Sequence, residues 1–479
     1  MSVNTMTFEQ SAAFLTALYE EATGQQPTLQ ISNTADFTSV GTTLLQGGLD
    51  PIIGALAQIL DRTIFSMRVY GKKFEDITID EIRWGAVTRK VNFIDTPLDS
   101  QDDRLTLTDG SSIDPYVVKK PKAVSLQFYG NTQYQDHITI FRDQLDSALR
   151  DSAEFGRFIA GVMTNIDNKH KQIEEAEARG MIINFITAKY LTDQPNCINV
   201  LQAYYDETGV ALTPANMFNV TNYTEFTRWL AGYMATLADK LAERSEKYHM
   251  NITGKALKRF TQGADLRKYI SANVANYLDT AVSSGLFNPD RLANITEGMR
   301  KMTFWQNIDN PYSVKATPAY LDVSDGTIST ALSAVQVDNI IGILFDRDAL
   351  GMVKRSTWSA ASPFNPRGGY YNIFWHWTQQ SYNDFTENFI LLYAADPVIP
   401  DIDLNKSSTT LANVGDTETL TATTVPADAT VYWSSSDETV ATVSDAGVVT
   451  AVASGTATIT AYIIEAGRTY SDTCEVTVS

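Results

Sequence analysis

The sequence predicts an α+β body followed by a small all-β sandwich, and three observations lead to this fold class. Apolar residues recur at spacings of three and four over Asp151–Tyr190, the pattern of one long amphipathic helix. Two strand-like stretches, Ile82–Phe93 and Val117–Tyr129, enclose a polar, turn-rich loop. Beyond the proline-containing stretch Asp396–Asp401, the chain changes to alternating runs of Thr, Ser, Val and Ala, which is typical of a β-sandwich.

The bulk properties of the chain limit its functional class. A chain of 479 residues exceeds one ordinary core, so we expect two or three domains. A net charge of −19 disfavours tight binding of nucleic acid, which needs a concentrated basic surface. Because we find no run of about 18 apolar residues and no secretory signal, we expect cytoplasmic synthesis and no membrane partner. Cys197 and Cys474 are expected to be buried free thiols.

The N-terminal part of the body predicts two extended features. Residues 1–60 begin with a short amphipathic helix and continue as a segment rich in Thr, Gly and Gln, which we expect to lie as an irregular arm on a neighbour. The two strand-like stretches are separated by about 20 residues, and unstructured loops of that length are rare in compact domains unless they have a function. They therefore predict a projecting β-ribbon with a mobile tip.

The rest of the body predicts a mixture of helices and strands. The helix over Asp151–Tyr190 would be roughly 60 Å long at ~1.5 Å per residue. Residues 200–335 predict further helices, and Val337–Phe345 predicts a strand that ends in an acidic turn. The aromatic stretch Tyr370–Trp377 predicts a strand covered on both sides, because both of its faces are rich in apolar residues. In that strand His376 is favoured as a structural histidine over a ligand.

The sequence offers little chemistry of the kind an enzyme needs. The four histidines are scattered without zinc-binding spacing, and we find neither a phosphate-binding loop nor a nucleophile elbow. Asp346 and Asp348 lack the further oxygen ligands of a calcium loop, so a turn and helix-cap role is favoured. We therefore predict that the protein is not an enzyme and uses no cofactor or metal.

The C-terminal region resembles the bacterial immunoglobulin-like group 2 domain. The resemblance rests on Val431–Asp437, on Val440–Ser444 and on the segments that contain Gly447 and Gly455–Ile459. The residues expected in the core of this domain are Trp433, Val443, Gly447, Gly455 and Ile459. Such domains are binding or spacer modules, so the resemblance alone does not assign a function.

The body resembles the major capsid proteins of tailed bacteriophages, which have the HK-97-type fold, and within them the phi-29-like subset. The first stretch that carries the resemblance is Ile340–Met352, with the order strand, Asp, basic residue, Asp, helix. The second is Asn365–Gly368 with the aromatic strand Tyr370–Trp377 and the stretch Tyr382–Tyr393. The structural or inter-subunit candidates are Asn365, Pro366, Arg367, Gly368, Asp346, Arg347 and Asp348; Arg367 is a candidate for a carboxylate contact across a subunit boundary.

The resemblance implies a division of the chain into capsid elements. The expected divisions are 1–60 N-terminal arm, 61–140 E-loop and start of the peripheral domain, 141–199 spine helix of the peripheral domain, 200–345 axial domain, 346–397 returning peripheral strands, 398–402 linker and 403–479 Ig-like domain. It also implies self-assembly into hexamers and pentamers of an icosahedral shell around double-stranded DNA. Because the chain starts without the scaffolding segment of some family members, we expect a separate scaffolding protein.

The expected partners are therefore other copies of the chain, a scaffolding protein, a portal, and packaged DNA through weak non-specific contact. The expected location is the virion, after assembly in the cytoplasm of the bacterial host. We expect the Ig-like domain to face outward, where it would brace capsomers or touch host or glycan surfaces. The alternatives are a bacterial surface adhesin, an encapsulin-like cargo shell, or a structural protein of a phage tail that carries an Ig-like domain.

Overall fold

The computed structural model describes most of the chain. The described residues are 7–47, 51–56, 73–79, 88–94, 107–112, 116, 118, 120–144, 149, 152–255, 257–283 and 298–479. The tip of the predicted β-ribbon falls largely outside them. The helices whose bounds lie within the described residues include α1 (Phe8–Thr23), α2 (Thr34–Gln46), α3 (Ser152–Thr192), α4 (Val200–Thr208), α5 (Tyr223–Ala242) and α6 (Ala272–Ser283).

The strands form several sheets in the body and in the C-terminal region. In the body they are β1 (Thr78–Ile79), β2 (Thr88–Ile94), β3 (Lys122–Phe128), β4 (Thr132–Phe141), β5 (Cys197–Asn199), β6 (Leu266–Ser271), β7 (Met299–Met302), β8 (Val314–Ala316), β9 (Ala319–Leu321), β10 (Ile328–Thr330), β11 (Val335–Val337), β12 (Ile340–Asp346), β13 (Leu350–Ala361), β14 (Tyr370–Asn383) and β15 (Phe389–Tyr393). In the C-terminal region they are β16 (Asp401–Leu404), β17 (Ser408–Leu411), β18 (Thr417–Thr419), β19 (Ala422–Val425), β20 (Tyr432–Ser435), β21 (Ala441–Val443), β22 (Val448–Ala451), β23 (Gly455–Glu465) and β24 (Arg468–Val478).

The long central helix α3 is confirmed, and it joins two hydrophobic cores. It runs without interruption for 41 residues. Apolar residues of its N-terminal half, such as Phe155 and Ile159, belong to one core with α1 and α2. Those of its C-terminal half, such as Ile182 and Phe185, belong to a second core with β12 and β15. A single helix therefore connects regions that otherwise bury separate sets of side chains.

The expectation of an irregular chain after α1 is wrong. The α2 helix begins at the N-cap residue Asn33, whose side chain accepts a hydrogen bond from the Asp36 amide at 2.9 Å. Phe37, Val40 and Leu44 lie on one helical face and pack into the core around α3, where the rings of Phe37 and Phe155 are 5.8 Å apart. The Thr-rich composition concealed this helix because its exposed face carries hydroxyl side chains, which bond back to the helix backbone.

The predicted β-ribbon is present in the described residues as an antiparallel pair. Strands β2 and β3 pair along their full length, from Thr88 opposite Phe128 to Ile94 opposite Lys122. This pair lies apart from the larger sheets in its backbone hydrogen bonding. Two apolar side chains of β2 are poorly covered, since Val91 is 47% and Phe93 72% exposed.

Among the described residues, the body contains two larger sheets. One has the order β1-β13-β14-β4 and the other the order β5-β15-β12-β6-β7. The second sheet combines β5 and β15, which come from segments expected in the peripheral region, with β6, β7 and β12 of the segment expected to be axial. The expected boundaries at residues 199 and 345 therefore pass through one sheet, since β15 hydrogen-bonds to both β5 and β12.

Two local expectations within the body are wrong. The part of residues 200–335 that lies beyond α6 contains the short strands β7 to β11 in its described residues, where helices were expected. After the acidic turn, the chain forms a single 3₁₀ turn over Arg347–Ala349 and then the long strand β13, where the family resemblance implied a helix. Both segments have too few apolar residues at helical spacing to cover a face of an α-helix.

The C-terminal region is an all-β sandwich. Its sheets have the orders β17-β24-β23-β20, β18-β22-β21 and β16-β19. Asp401 and Ile402, expected in the linker, belong to strand β16, and the Ile402 side chain is buried in the domain. The sandwich therefore starts at residue 401, two residues before the expected start.

Candidate functional site

Strand β14 presents two different faces. Tyr371, Ile373, Trp375 and Trp377 are buried, and the first three belong to the core around the N-terminal half of α3. The alternate side chains, among them Phe374 and His376, are only half-buried. The predicted alternation of the strand is thus confirmed, and within the single chain only one side of the strand is fully covered.

Aromatic and imidazole rings line the half-buried side of this sheet. His376 stacks on Trp358 with ring centroids 3.9 Å apart, and Phe374 stacks on His137 at 5.4 Å. These pairs face one another because the register places Trp358 of β13 and His137 of β4 opposite the two β14 residues. We call Trp358, His376, Phe374 and His137 the ring face. Trp358 is 53% exposed, so the ring face offers apolar surface to solvent.

The segment before β14 is a tight turn organised by Asn365. Its side-chain oxygen accepts hydrogen bonds from the amides of Arg367 and Gly368, both at 3.1 Å. A side chain at Gly368 would collide with the ring of Tyr370, and Gly369 has a φ of +66°. Pro366 and Arg367 are exposed, and within the described residues the Arg367 guanidinium forms no ion pair. The turn therefore exposes the Arg367 side chain to solvent.

The acidic turn after β12 is built around Asp346. This buried carboxylate accepts hydrogen bonds from the Asp348 amide at 2.9 Å and the Thr261 hydroxyl at 2.7 Å. The predicted capping role of Asp346 is confirmed. Arg347 and Asp348 are exposed, and the Arg347 guanidinium lies 3.5 Å from Asp265. These two exposed side chains are the part of the turn that a second molecule can reach.

The β2–β3 ribbon is anchored to the body by half-buried basic side chains that pair with buried carboxylates. Lys90 Nζ lies 2.8 Å from Asp384 and 2.6 Å from Glu387, in the turn between β14 and β15. Arg259 bonds to Asn92 on the same strand at 3.1 Å and pairs with Glu387 at 3.2 Å. We call these five residues the ribbon anchor. It fixes strand β2 of the ribbon to the turn that connects the two large sheets of the body.

The electrostatics of the ribbon anchor favour an ionised pair. Burial acts to lower the pKa of Lys90, but Asp384 and Glu387 outweigh it and raise that pKa above its usual value. Burial also raises the pKa of Glu387, against the effect of Lys90 and Arg259. A raised pKa favours the charged form of Lys90 but the neutral form of Glu387, so the two directions conflict. We take the pair as ionised because two cations lie within 3.2 Å of Glu387.

The described residues provide no evident centre for chemistry. Across them, no group of His, Cys, Asp and Glu residues could hold a metal ion. Both cysteines are buried free thiols, as predicted, and burial raises the pKa of Cys197 to about 12, which makes it a poor nucleophile. Among the helices of the described residues, none is long and apolar enough to cross a membrane.

The expected core residues of the Ig-like domain occupy different positions in it. Ile459 is fully buried, while Trp433 and Val443 are partly buried and pack against that core. Gly447 has a φ of +72°, and a side chain there would meet the Trp433 ring at 2.8 Å. A side chain at Gly455 would approach Val440 at 3.0 Å. The two glycines therefore leave room for the neighbouring side chains of Trp433 and Val440.

Comparison with known families decides what the body is. The family model for the Phi29-like phage major capsid protein matches residues 15–393. The chain belongs to the Phi29-like phage major capsid protein family. The model for the bacterial Ig-like domain (group 2) matches residues 399–469. The fold class expected from the resemblance is thus confirmed, and this capsid protein belongs to a structural family rather than an enzyme family.

Solved capsid structures are similar to this chain at low sequence identity. The capsid of Staphylococcus phage Andhra is 11% identical, with 70% of this chain and 87% of that chain covered and a TM-score of 0.45. The capsid of the cyanophage P-SCSP1u is 14% identical, with coverage of 70% and 91% and a TM-score of 0.36. The mature capsid of bacteriophage PhiM1 is 11% identical, with coverage of 69% and 90% and a TM-score of 0.34. No match was found among curated proteins.

For this capsid protein, sequence reasoning missed the contacts that hold its parts together. The ribbon anchor joins residues separated by almost 300 positions, and no local pattern marks such pairs. Lys189, a fully buried lysine that lies 2.9 Å from Asp193, was also missed. The i,i+4 spacing of Lys189 and Asp193 was the only available signal, and exposed helices carry many pairs of that kind.

Proposed function

We propose that the capsid protein assembles into hexamers and pentamers of an icosahedral head that encloses double-stranded DNA. Its family membership establishes a shell protein of the virion that assembles with copies of itself. The observation that supports contacts on the body is the ring face, because a second copy can cover apolar surface that one copy exposes. The separate scaffolding protein, the portal and assembly in the host cytoplasm remain part of this proposal.

The proposed roles of the segments follow the expected division into capsid elements, but their boundaries are moved so that each sheet belongs to one domain. Residues 1–60 are the N-terminal arm, although α1 and α2 pack on their own chain. The β2–β3 ribbon is the E-loop, α3 is the spine helix, and the sheet of β1, β13, β14 and β4 belongs to the peripheral domain. The five-stranded sheet with α4, α5 and α6 is the axial domain, which is supported by the core that these elements share.

Charge supports weak contact with the packaged DNA. The chain carries 37 basic and 56 acidic residues, so its electrostatic attraction to phosphates is small. Weak affinity suits a genome that is forced into the head and later released. Empty shells that retain double-stranded DNA at physiological salt would contradict this part of the proposal.

Electron microscopy tests the assembly directly. The chain is expressed with and without a candidate scaffolding protein, and negative-stain images are expected to show closed polyhedra. Tubes would instead favour the tail-protein alternative. A Trp358→Ser variant is expected to lower the yield of shells, whereas Tyr432→Ser, which changes an exposed aromatic residue outside the ring face, is the matched control. Equal yields from both variants would argue against the ring face as a shell contact.

The Ig-like domain is proposed to lie on the outer surface, where it braces capsomers or touches host or glycan surfaces. Its own core supports this role as a separate module. Deletion of residues 401–479 distinguishes the two roles. Shells that form and survive mild heating without the domain would exclude bracing and leave surface contact as its function.

A further inference from the structure

The Ig-like domain makes specific contacts with helix α4 of its own body. Domains joined by a short linker generally move relative to one another unless a substantial interface holds them. Here three sets of contacts converge on α4 and on the residue before it, Asn199. They come from the linker, from Arg468 and from Tyr470.

The first set fastens the linker along α4. The Asn199 side chain accepts a hydrogen bond from the Ala395 amide at 3.0 Å. Gln202 binds both backbone groups of Val398: its oxygen accepts from the amide at 2.7 Å, and its nitrogen donates to the carbonyl at 3.3 Å. The chain between β15 and the Ig-like domain is therefore tied to the body at two points three residues apart.

The second set places an arginine of the Ig-like domain at the C-terminal end of α4. Arg468 Nη1 donates a hydrogen bond to the Tyr205 carbonyl oxygen at 2.8 Å, and its guanidinium lies 5.7 Å from the centre of the Tyr205 ring. The same carbonyl accepts the amide of Gly209, the capping residue of the helix, at 2.7 Å. A cation is favourable at this position because the last carbonyls of a helix carry partial negative charge.

Gly209 makes room for this arginine. A side chain at Gly209 would lie 3.1 Å from the guanidinium carbon, and the residue has a φ of +79°. The third contact lies beside it, where the hydroxyl groups of Tyr205 and Tyr470 are 2.9 Å apart. The tip of the β23–β24 hairpin and the end of α4 therefore fit each other in shape, charge and hydrogen bonding.

We propose that these contacts lock the Ig-like domain in one orientation on the body, with Arg468 as the principal fastening residue. We call Tyr205, Gly209, Arg468 and Tyr470 the domain latch. The domain then stands as a rigid extension of each subunit. Any surface that the domain contacts must then lie at a fixed distance and angle from α4. This inference concerns the single chain and does not depend on the proposed assembly.

Distance measurements between two spin labels test the domain latch. Labels are attached at Ala242→Cys on the body and Ala453→Cys on the Ig-like domain, which are both exposed, while the native cysteines are buried. In the unassembled full chain with the latch intact, we expect one narrow distance distribution. Arg468→Ala is expected to replace that narrow peak with a broad one.

Matched variants separate the latch from general effects on folding. Lys406→Ala removes a basic residue that pairs with Glu418 within the Ig-like domain at 2.8 Å, and it should keep the narrow peak. Gly209→Ala changes only the body and should broaden the distribution as Arg468→Ala does. Circular dichroism should show that every variant remains folded. A broad distribution with the latch intact, or a narrow one in both Arg468→Ala and Gly209→Ala, would overturn the proposal.

Discussion

Strand β12 is buried along its whole length, whereas strand β14 buries every second side chain over most of its length. β12 lies between two cores of the same chain, with Ile343 and Phe345 on one side and Ile341 and Leu344 on the other. β14 has the core of α1, α2 and α3 on one side and the ring face on the other. Both faces of an apolar strand can therefore be covered by its own chain, as in β12. Alternatively, one face can be left for another molecule to cover, as in β14.

The same substitution made in each sheet tests this contrast, and it should produce the largest effect on stability. Phe345→Ala in β12 should lower the free energy of unfolding by about 3–5 kcal/mol, because it leaves a cavity between packed rings. Phe374→Ala in β14 should lower it by about 1 kcal/mol or less, since that side chain already meets solvent. Urea unfolding of unassembled subunits measures both. Similar losses would mean that the two sheets are equally covered.

Replacing the buried charged side chain of Lys189 should also have a large effect on stability. Burial lowers the pKa of Lys189 against the opposing effect of Asp193, so its charge depends on that partner. Lys189→Met should lower the free energy of unfolding by about 3 kcal/mol, because the Asp193 carboxylate stays buried without a cation. The double variant Lys189→Met/Asp193→Asn should be more stable than the single one. A double variant less stable than Lys189→Met would contradict this account.

The ribbon anchor lies where the two sheets meet, and a smaller effect is expected there. Lys90→Met should cost about 1–3 kcal/mol of local stability, because Asp384 and Glu387 lose their shared cation. Amide hydrogen exchange in residues 88–94 and 122–128 should become faster. Arg89→Met is the control, since the Arg89 side chain bonds to Ser125 within the ribbon itself. Unchanged exchange in Lys90→Met would show that the anchor does not hold the ribbon.

The smallest expected effect is a dependence of stability on pH. Burial lowers the pKa of His170 and of His249 below the ordinary 6.5, so the unfolded chain binds protons first as the pH falls. Stability from these groups is full above pH 6.5 and is lost as the pH falls towards the folded-state values. Around His170, the carboxylates of Asp136, Glu174 and Asp167 oppose this shift and Lys354 adds to it.

Unfolding free energies measured across this pH range test the effect. The His170→Asn/His249→Asn variant should show a smaller loss of stability below pH 6.5 than the unsubstituted chain. An unchanged slope would assign the dependence to other groups. The ring of His170 lies beneath the four-stranded sheet, 4.1 Å from the Trp377 ring. If the slope is unchanged, the pH dependence of stability gives no information about how this sheet is covered.

Sequence periodicity was sufficient for elements whose patterns are local. Helix α3 and the alternation of β14 follow from the spacing of apolar residues alone. The outer face of β14 could not be assigned in this way, because periodicity shows which residues share a face and not what covers it. Helix α2 was missed because its apolar residues Phe37, Val40 and Leu44 form only a narrow stripe among hydroxyl residues.

The candidate site was predictable only in its turns. Asp346 was singled out as a turn and cap residue by its residue type, whereas Asn365 was named only through the family resemblance; both accept backbone hydrogen bonds in their turns. The ribbon anchor and the domain latch join residues far apart in the chain, so their partners depend on the complete fold. Arg468 had no distinguishing feature in sequence other than being one of few basic residues in its domain.

The continuity of α3 gives the subunit the mechanics of a lever. Its two halves are embedded in different cores, and its 41 residues provide no described break at which one core could turn independently of the other. A helix of this length spans roughly 60 Å, so a tilt of about 10° at one end would move the other end by about 10 Å. Small adjustments where one subunit meets the next would therefore become large displacements across the shell.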